Sequence, residues 1–256
     1  MGKSRLGLPF EYSKLSEYYD ALSVGDLDSK NRVIEKLLRK HKVETVLDLT
    51  CGTGSQVLWL AKHGYKVTGA DISPALLDIA REKAQKEKID VRLIDGDMRT
   101  LKVGCFDAIV TIFNAIGHLT KTGFEKALRN IYRNLKDDGL YVFDIINLRA
   151  MTNEAVNDLA TDLSKTVNDI IIHSVQYSEI NRETGRLTSY DYITVQEGAD
   201  KPKVFKGKFT LQIYTADELR DILNRNGFEI LSQYGIDGSK FVEDTTPNIL
   251  IVAKKQ

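Results

Sequence analysis

Hydrophobic positions recur along this chain with two alternating periods, and the switches between them predict its elements. Over residues 12–22, Tyr12, Leu15, Tyr19 and Leu22 fall on one helical face. Val33, Ile34, Leu37 and Leu38 repeat with helical spacing behind Asp28 and Ser29, which are placed to cap that helix. The run from Val43 to Leu49 reads as a buried strand, Val57 to Ala61 as a helix, and Tyr65 to Ala70 as a second strand ending at Asp71. Ser73-Pro74 opens a helix with Leu76, Leu77, Ile79 and Ala80 on its apolar face, the proline sitting where no N–H is needed. Val91 to Ile94 and Phe106 to Phe113 supply the third and fourth strands. Phe124 to Leu135 is a helix stopped by Asp137-Asp138-Gly139, and Leu140 to Ile146 is a fifth strand.

Short apolar strands alternating with amphipathic helices predict an α/β fold, doubly wound, with a mostly parallel sheet covered on both faces. The rhythm breaks after residue 147. A polar helical stretch reaches about Ser164, and then Asp169 to Ile180, Arg186 to Gln196 and Val204 to Tyr214 alternate in period two. These predict three antiparallel strands, with turns at Thr184-Gly185 and Glu197-Gly198. Thr215, followed by Asp217-Glu218, then caps a helix ending near Gly227, and Phe228 to Tyr234 and Asn248 to Ala253 are two last strands. The expected organisation is one domain over 1–147 and 214–256, with 148–213 as an antiparallel insertion that forms a substrate lid or an oligomer interface.

Composition adds exclusions. The 256 residues are 42% hydrophobic, enough for a substantial core, and Lys+Arg and Asp+Glu both count 36. A neutral chain gives no global electrostatic reason to bind nucleic acid or an anionic membrane. Residues 1–10 lack an apolar signal region, no run has the length of a membrane span, and Leu6 stands where a myristoylation signal has Ser or Thr. Cys51 and Cys105 make no disulfide framework, and His41, His63, His118 and His173 are scattered, so no metal is expected. The expectation is a cytoplasmic enzyme with a small-molecule substrate.

The chemistry concentrates where strands end. After Asp48 the loop runs Leu49-Thr50-Cys51-Gly52-Thr53-Gly54-Ser55-Gln56. A dinucleotide loop wants G-x-G-x-x-G so that backbone N–H groups meet a pyrophosphate. Here the third glycine is missing, and Asp48 would repel a diphosphate. S-adenosylmethionine has no phosphate; it carries an ammonium, a sulfonium and a carboxylate, beside which an acid is useful. Asp71 ends the second strand, where an acid accepts ribose hydroxyls. Asp97 follows the third, where it suits the adenine amine while Met98 packs on the ring. An NAD(P) oxidoreductase explains Asp71 but neither the loop nor Asp97.

Asp48-Leu-Thr-Cys-Gly-Thr-Gly54, Asp71-Ile-Ser and Gly96-Asp-Met98 resemble the class I S-adenosylmethionine-dependent methyltransferases. The likeness covers residues 12–147 and resumes at 215–254, where the last helix and two strands look like the reversed hairpin that completes that fold's seven-stranded Rossmann-like sheet. It implies cofactor contacts at Asp48, Thr50, Gly52, Gly54, Asp71, Ile72, Asp97 and Met98. Asn114 and Ile116, after the fourth strand, fall by the methionine end, and Tyr12 is placed to close over the cofactor.

A narrower likeness lies in Gly96-Asp-Met-Arg-Thr-Leu101 and Ile112-Phe-Asn-Ala-Ile-Gly-His-Leu119, which are similar to amino-sugar N,N-dimethyltransferases and glycine and sarcosine N-methyltransferases. It implies an insertion after the fifth strand and substrate-facing roles for Tyr19 and His118. Glycine N-methyltransferase holds its substrate carboxylate with an arginine where this chain has Ile146, which argues against glycine as substrate. The expected reaction is in-line methyl transfer to an amine nitrogen, with His118 as base and Tyr19 as orienter. For both side chains a packing role stays open. So do an O-methyltransferase, a non-catalytic cofactor-binding protein, and a homo-oligomer formed through the insertion. A nucleic-acid methyltransferase is disfavoured by the neutral charge and by Asn114-Ala115-Ile116-Gly117 in place of an Asn-Pro-Pro-Tyr-like run.

Overall fold

The computed structural model describes Leu6 and residues 15–22, 26–167 and 169–256, so Tyr12 lies outside the described residues. Its main sheet has seven strands, β1 (Thr45–Asp48), β2 (Lys66–Asp71), β3 (Arg92–Asp95), β4 (Phe106–Thr111), β5 (Leu135–Ile146), β10 (Phe228–Tyr234) and β11 (Asn248–Lys255). They lie in the order β10-β11-β5-β4-β1-β2-β3. Only β11 runs against its neighbours, pairing antiparallel with both β5 and β10. The order reverses between β1 and β4, and the crevice outside the carboxyl ends of these strands is where such sheets bind ligands.

Helices α2 (Leu27–Lys40), α3 (Ser55–Lys62) and α4 (Pro74–Glu87) cover one face. Ile34, Leu38, Val57, Leu60 and Leu77 pack there on Val46, Val110, Val142 and Val252. On the other face α5 (Lys121–Asn134) and α7 (Ala216–Arg225) bring Phe124, Leu128, Ile131, Leu219 and Leu223 onto Leu47, Ile109, Phe143 and Ile251. Strand alternation sorts these sets, since neighbouring residues of a strand face opposite sides. Thr215 caps α7 with the reciprocal Thr215–Glu218 capping box.

Several local expectations are corrected. Asp26, not Asp28 or Ser29, caps α2, accepting the Ser29 N–H at 3.0 Å. Asp137-Asp138-Gly139 does not stop a helix. The helix ends at Asn134, Leu135 already pairs with Phe106, and Asp138 takes φ 59° within β5, where the β4 register shifts. The helix expected over 12–22 is reduced to a 3-10 turn, Ser16–Tyr18, and a single α turn, α1 (Tyr19–Leu22). That change of pitch buries Tyr18 beside Leu15 and leaves Tyr19 half-buried.

The insertion holds four antiparallel strands rather than three. They are β6 (Thr161–Val167), β7 (Ile170–Asn181), β8 (Arg186–Glu197) and β9 (Lys203–Gln212), in that spatial order. The helix before them, α6 (Asn153–Asp158), stops well short of Ser164. A polar stretch gives little strand signal by itself; pairing with β7 over its whole length makes β6 a strand. Leu187 and Leu211 pack this sheet against Ile146, Met151 and Ile213, and Ile172, Ile193 and Val195 pack against Leu15 and Tyr18. Among the described residues no helix is long and apolar enough to cross a membrane.

Two asparagines of α5 fix the connection after β3. Asn130 Nδ2 donates to the carbonyls of Met98 and Leu101, at 3.0 and 2.8 Å. Asn134 Oδ1 accepts the Val103 N–H at 2.9 Å, and its Nδ2 donates to the carbonyls of Leu101 and Asn130. Asn134→Ala strands several buried backbone groups and is expected to cost about 2–3 kcal/mol in urea unfolding. A loss under about 0.5 kcal/mol would mean that the connection is held otherwise.

Candidate functional site

The carboxyl ends of β1 to β5 and the start of β11 border a cavity of about 330 Å³. Asp48 closes β1, fully buried, with Oδ1 accepting the Thr50 N–H at 3.0 Å. Its Oδ2 and the Thr50 hydroxyl are buried without a hydrogen-bond partner among the described residues. Burial pushes the Asp48 carboxyl up to about 7, the Thr50 N–H opposing and the nearby Asp71 adding to the rise. Asp71 closes β2 and braces the loop. Its Oδ2 accepts the Gly52 N–H at 2.8 Å and its Oδ1 the Ser73 N–H at 2.9 Å, the first holding the turn and the second the start of α4. Burial raises its pKa, while these N–H groups hold it down.

Gly52 takes φ 52°, and a Cβ built on it meets nothing within 4 Å, so the turn presents bare backbone to the cavity. Gly54 serves differently. At φ 89° it stands at the N-cap of α3, a Cβ there would lie 3.1 Å from Ala80 Cβ, and it does not line the cavity. Its missing side chain permits a close approach between the loop and α4.

Past β2, Ile72 and Leu76 line the cavity, and past β3, Gly96, Asp97 and Met98 do so. Asp97 is held by Arg99, whose backbone N–H and Nε donate to Oδ1, each at 3.0 Å, and whose Nη2 donates to Oδ2 at 2.5 Å. Past β4, Phe113 and Asn114 line the cavity, and the 3-10 turn Ala115–His118 brings His118 to it. His118 is 7% exposed; its carbonyl accepts the Leu6 N–H at 3.0 Å and its ring lies 6.1 Å from that of Phe209. The same turn buries the Ile116 side chain fully in the main core.

Tyr19 also lines the cavity, so the two residues expected to face the substrate, Tyr19 and His118, share it with the strand-end acids. Asp20 fastens this segment, accepting the Thr53 hydroxyl at 2.6 Å and pairing with Lys83 at 2.5 Å. Among Tyr177, Tyr190, Tyr192 and Phe209 of the insertion, Phe209 lies beside the His118 ring. Tyr177, Tyr190 and Tyr192 stack on the opposite face of their sheet, with Tyr177 and Tyr192 largely exposed.

Several lining residues had no sequence signal strong enough to find them. Lys30 enters from α2 with its ammonium 5.4 Å from the Phe113 ring centroid. Gln56, buried at the start of α3, has both amide atoms without partners among the described residues. Asp144 of β5, 1% exposed, and Asn248 of β11 complete the far end. An acid inside the apolar run Leu140–Ile146 was the one available hint.

These residues fit S-adenosylmethionine. An edge formed by Asp48, Asp71 and Asp97 disfavours a pyrophosphate and asks for donors, and an ammonium, two ribose hydroxyls and an adenine amine are donors. Unpartnered Asp48 Oδ2 demands such a group, because a buried acid without a donor is costly. Among the described residues no group of three or more His, Cys, Asp or Glu is placed to hold a metal ion.

Residues 46–139 match the family model described as a methyltransferase domain. The demethylmenaquinone methyltransferase of Thermus thermophilus is 36% identical over 140 residues, 51% of this chain and 62% of that protein. The glycine/sarcosine N-methyltransferase of Parasynechococcus marenigrum is 34% identical over 113 residues, 43% of this chain and 40% of that protein. The X-ray structure of the sugar N-methyltransferase KedS8 from Streptoalloteichus sp. shares the fold, with a TM-score of 0.80 at 16% identity over 100% of this chain and 98% of that one. The segment 46–139 is thus similar to a methyltransferase domain, and the cavity's donor-seeking acids fit its methyl donor, S-adenosylmethionine.

Proposed function

We propose that the chain transfers a methyl group to the amine nitrogen of a small molecule. The observation that carries this is the presence of His118 and Tyr19 in the wall of the cavity that Asp48, Asp71 and Asp97 edge. Sequence likeness to a glycine/sarcosine N-methyltransferase supports an amine over a hydroxyl.

S-adenosylmethionine supplies a methyl on a sulfonium whose sulfur departs neutral as the C–N bond forms, so the leaving group needs no acid. In this reading Asp48 Oδ2 receives the cofactor's ammonium, Lys30 and Gln56 hold its carboxylate, and the bare backbone at Thr50 to Gly52 lets it approach. Asp71 uses its remaining lone pairs for the ribose hydroxyls, with Ile72 beside them. Asp97 takes the adenine amine and Met98 packs on the ring. Asn114 stands where donor and acceptor meet. Tyr19 orients the acceptor nitrogen, and His118 takes the proton that an ammonium must shed before it can attack. The β6–β9 sheet roofs the acceptor through Phe209 and keeps water out.

Asp48 makes cofactor affinity depend on pH. Near 7 in the free protein, its pKa falls when an ammonium sits beside it, so binding is tight where Asp48 is ionised and weakens as protons compete. S-adenosylhomocysteine affinity is therefore expected to drop severalfold from about pH 8 to about pH 6, and Asp48→Asn to give weaker, flat binding. Equal affinities across that range in the unsubstituted chain would count against this placement.

The function itself is tested by screening S-adenosylhomocysteine release over amines, amino sugars, amino acids and phenols. Turnover confined to amines is expected. Turnover confined to phenols, or absent throughout, would overturn the proposal.

A further inference from the structure

The far end of the cavity contains a buried acid that the cofactor contacts do not use. Asp48 pairs in register with Val110, and Val110 with Val142, so Asp144, two residues beyond Val142, points to the same sheet face as Asp48. The two acids stand two strands apart, about 10 Å across the sheet.

Asp144 holds an unusual turn. Phe113 and Asn114 take consecutive left-handed φ values of 62° and 60°. Outside glycine such residues are strained, a phenylalanine more than an asparagine. The strain is compensated at Asp144, whose Oδ1 accepts the Asn114 N–H at 3.4 Å and whose ionised form the Phe113 N–H also favours. Lys30 adds a favourable charge.

This acid also decides how two amides face. A carboxylate only accepts, so Asn248 turns its NH2 group toward Asp144 Oδ2, 3.4 Å away. The same NH2 group lies 3.1 Å from Asn114 Oδ1 and takes it up. Asn114 is left with its own NH2 group as the donor it offers, and Asn114, Asn248 and Asp144 all line the cavity. Orientation thus passes from the charged group through Asn248 to Asn114.

We infer that Asp144 and Asn248 are positioning residues that fix Asn114 as a donor, so the site selects amines carrying an oxygen lone pair close to the reacting nitrogen. Ether, hydroxyl or carboxylate oxygens share that chemistry, and plain alkylamines lack it. The inference rests on amine methylation as proposed above.

The test compares kcat/KM for amines that differ in one CH2 against oxygen: butylamine with 2-methoxyethylamine, and cyclohexylamine with tetrahydropyran-3-amine. In the unsubstituted chain the oxygen-bearing amines are expected to be favoured roughly tenfold, the range of one hydrogen bond. In Asp144→Asn, nearly isosteric but able to donate toward Asn248 and reverse the orientation, the ratio should fall to about one through KM. Asn248→Ala should give the same collapse of the ratio. Equal rates with and without oxygen in the unsubstituted chain would overturn this inference and leave amine methylation standing, whereas no transfer to any amine would overturn both.

Discussion

His118→Ala is expected to lower turnover by roughly 10²- to 10³-fold, the usual contribution of a proton-transfer group, with S-adenosylhomocysteine affinity within about twofold of the starting value. The expectation rests on separable roles. The backbone of the Ala115–His118 turn is held without the imidazole, by the Gly117 and Leu119 N–H groups within the turn and by Leu6 on the His118 carbonyl. Removing the ring therefore leaves the wall of the cavity in place. The competing explanation is packing, since the His118 ring lies near Phe209. His118→Phe separates the two: it keeps a ring against Phe209 and cannot take a proton. Both variants should be slow, with kcat carrying the loss. A fast phenylalanine variant would assign His118 to packing.

Asp71→Ala is expected to act on the other half of the reaction. Its carboxylate braces the loop at Gly52 and the start of α4 at Ser73, and in the proposed pose it also meets the ribose. Two charge-assisted bonds of about 1.5–3 kcal/mol each are lost together with that contact, so cofactor affinity should fall by roughly 10²-fold or more. Asp71→Asn keeps acceptor capacity on one atom only and should fall between. Isothermal titration with S-adenosylhomocysteine reads the effect, and near-native thermal unfolding of the asparagine variant shows that the fold persists. Affinity of the alanine variant within threefold of the starting value would remove Asp71 from the site.

The parts of this fold legible in the sequence are those with local causes. Asp71 interrupts an apolar run at a strand end, so its place at the sheet edge follows from periodicity, and Ser73-Pro74 marks where α4 begins. The reversed final strand followed from family likeness, and the observed β5–β11 pairing agrees with it. The remainder depends on tertiary neighbours. Asp144 lies inside an apolar strand and gains a role only when β11 brings Asn248 beside it. Lys30 reads as the exposed face of a helix until α2 docks against the loop through Asn31 and Ser55. Ile116 and His118 are two residues apart, yet a 3-10 turn sends one to the core and the other to the cavity. Tyr18 and Tyr19 exchange places for the same reason, a change of helical pitch that side-chain spacing alone does not encode.

The most direct test of amine methylation uses S-adenosylmethionine carrying a carbon-13 methyl. Supplied with an acceptor from the screen that bears both an amine and a hydroxyl, the chain is predicted to place the label on nitrogen, read from the methyl carbon's chemical shift and its couplings in the product. Label found on oxygen would contradict the account.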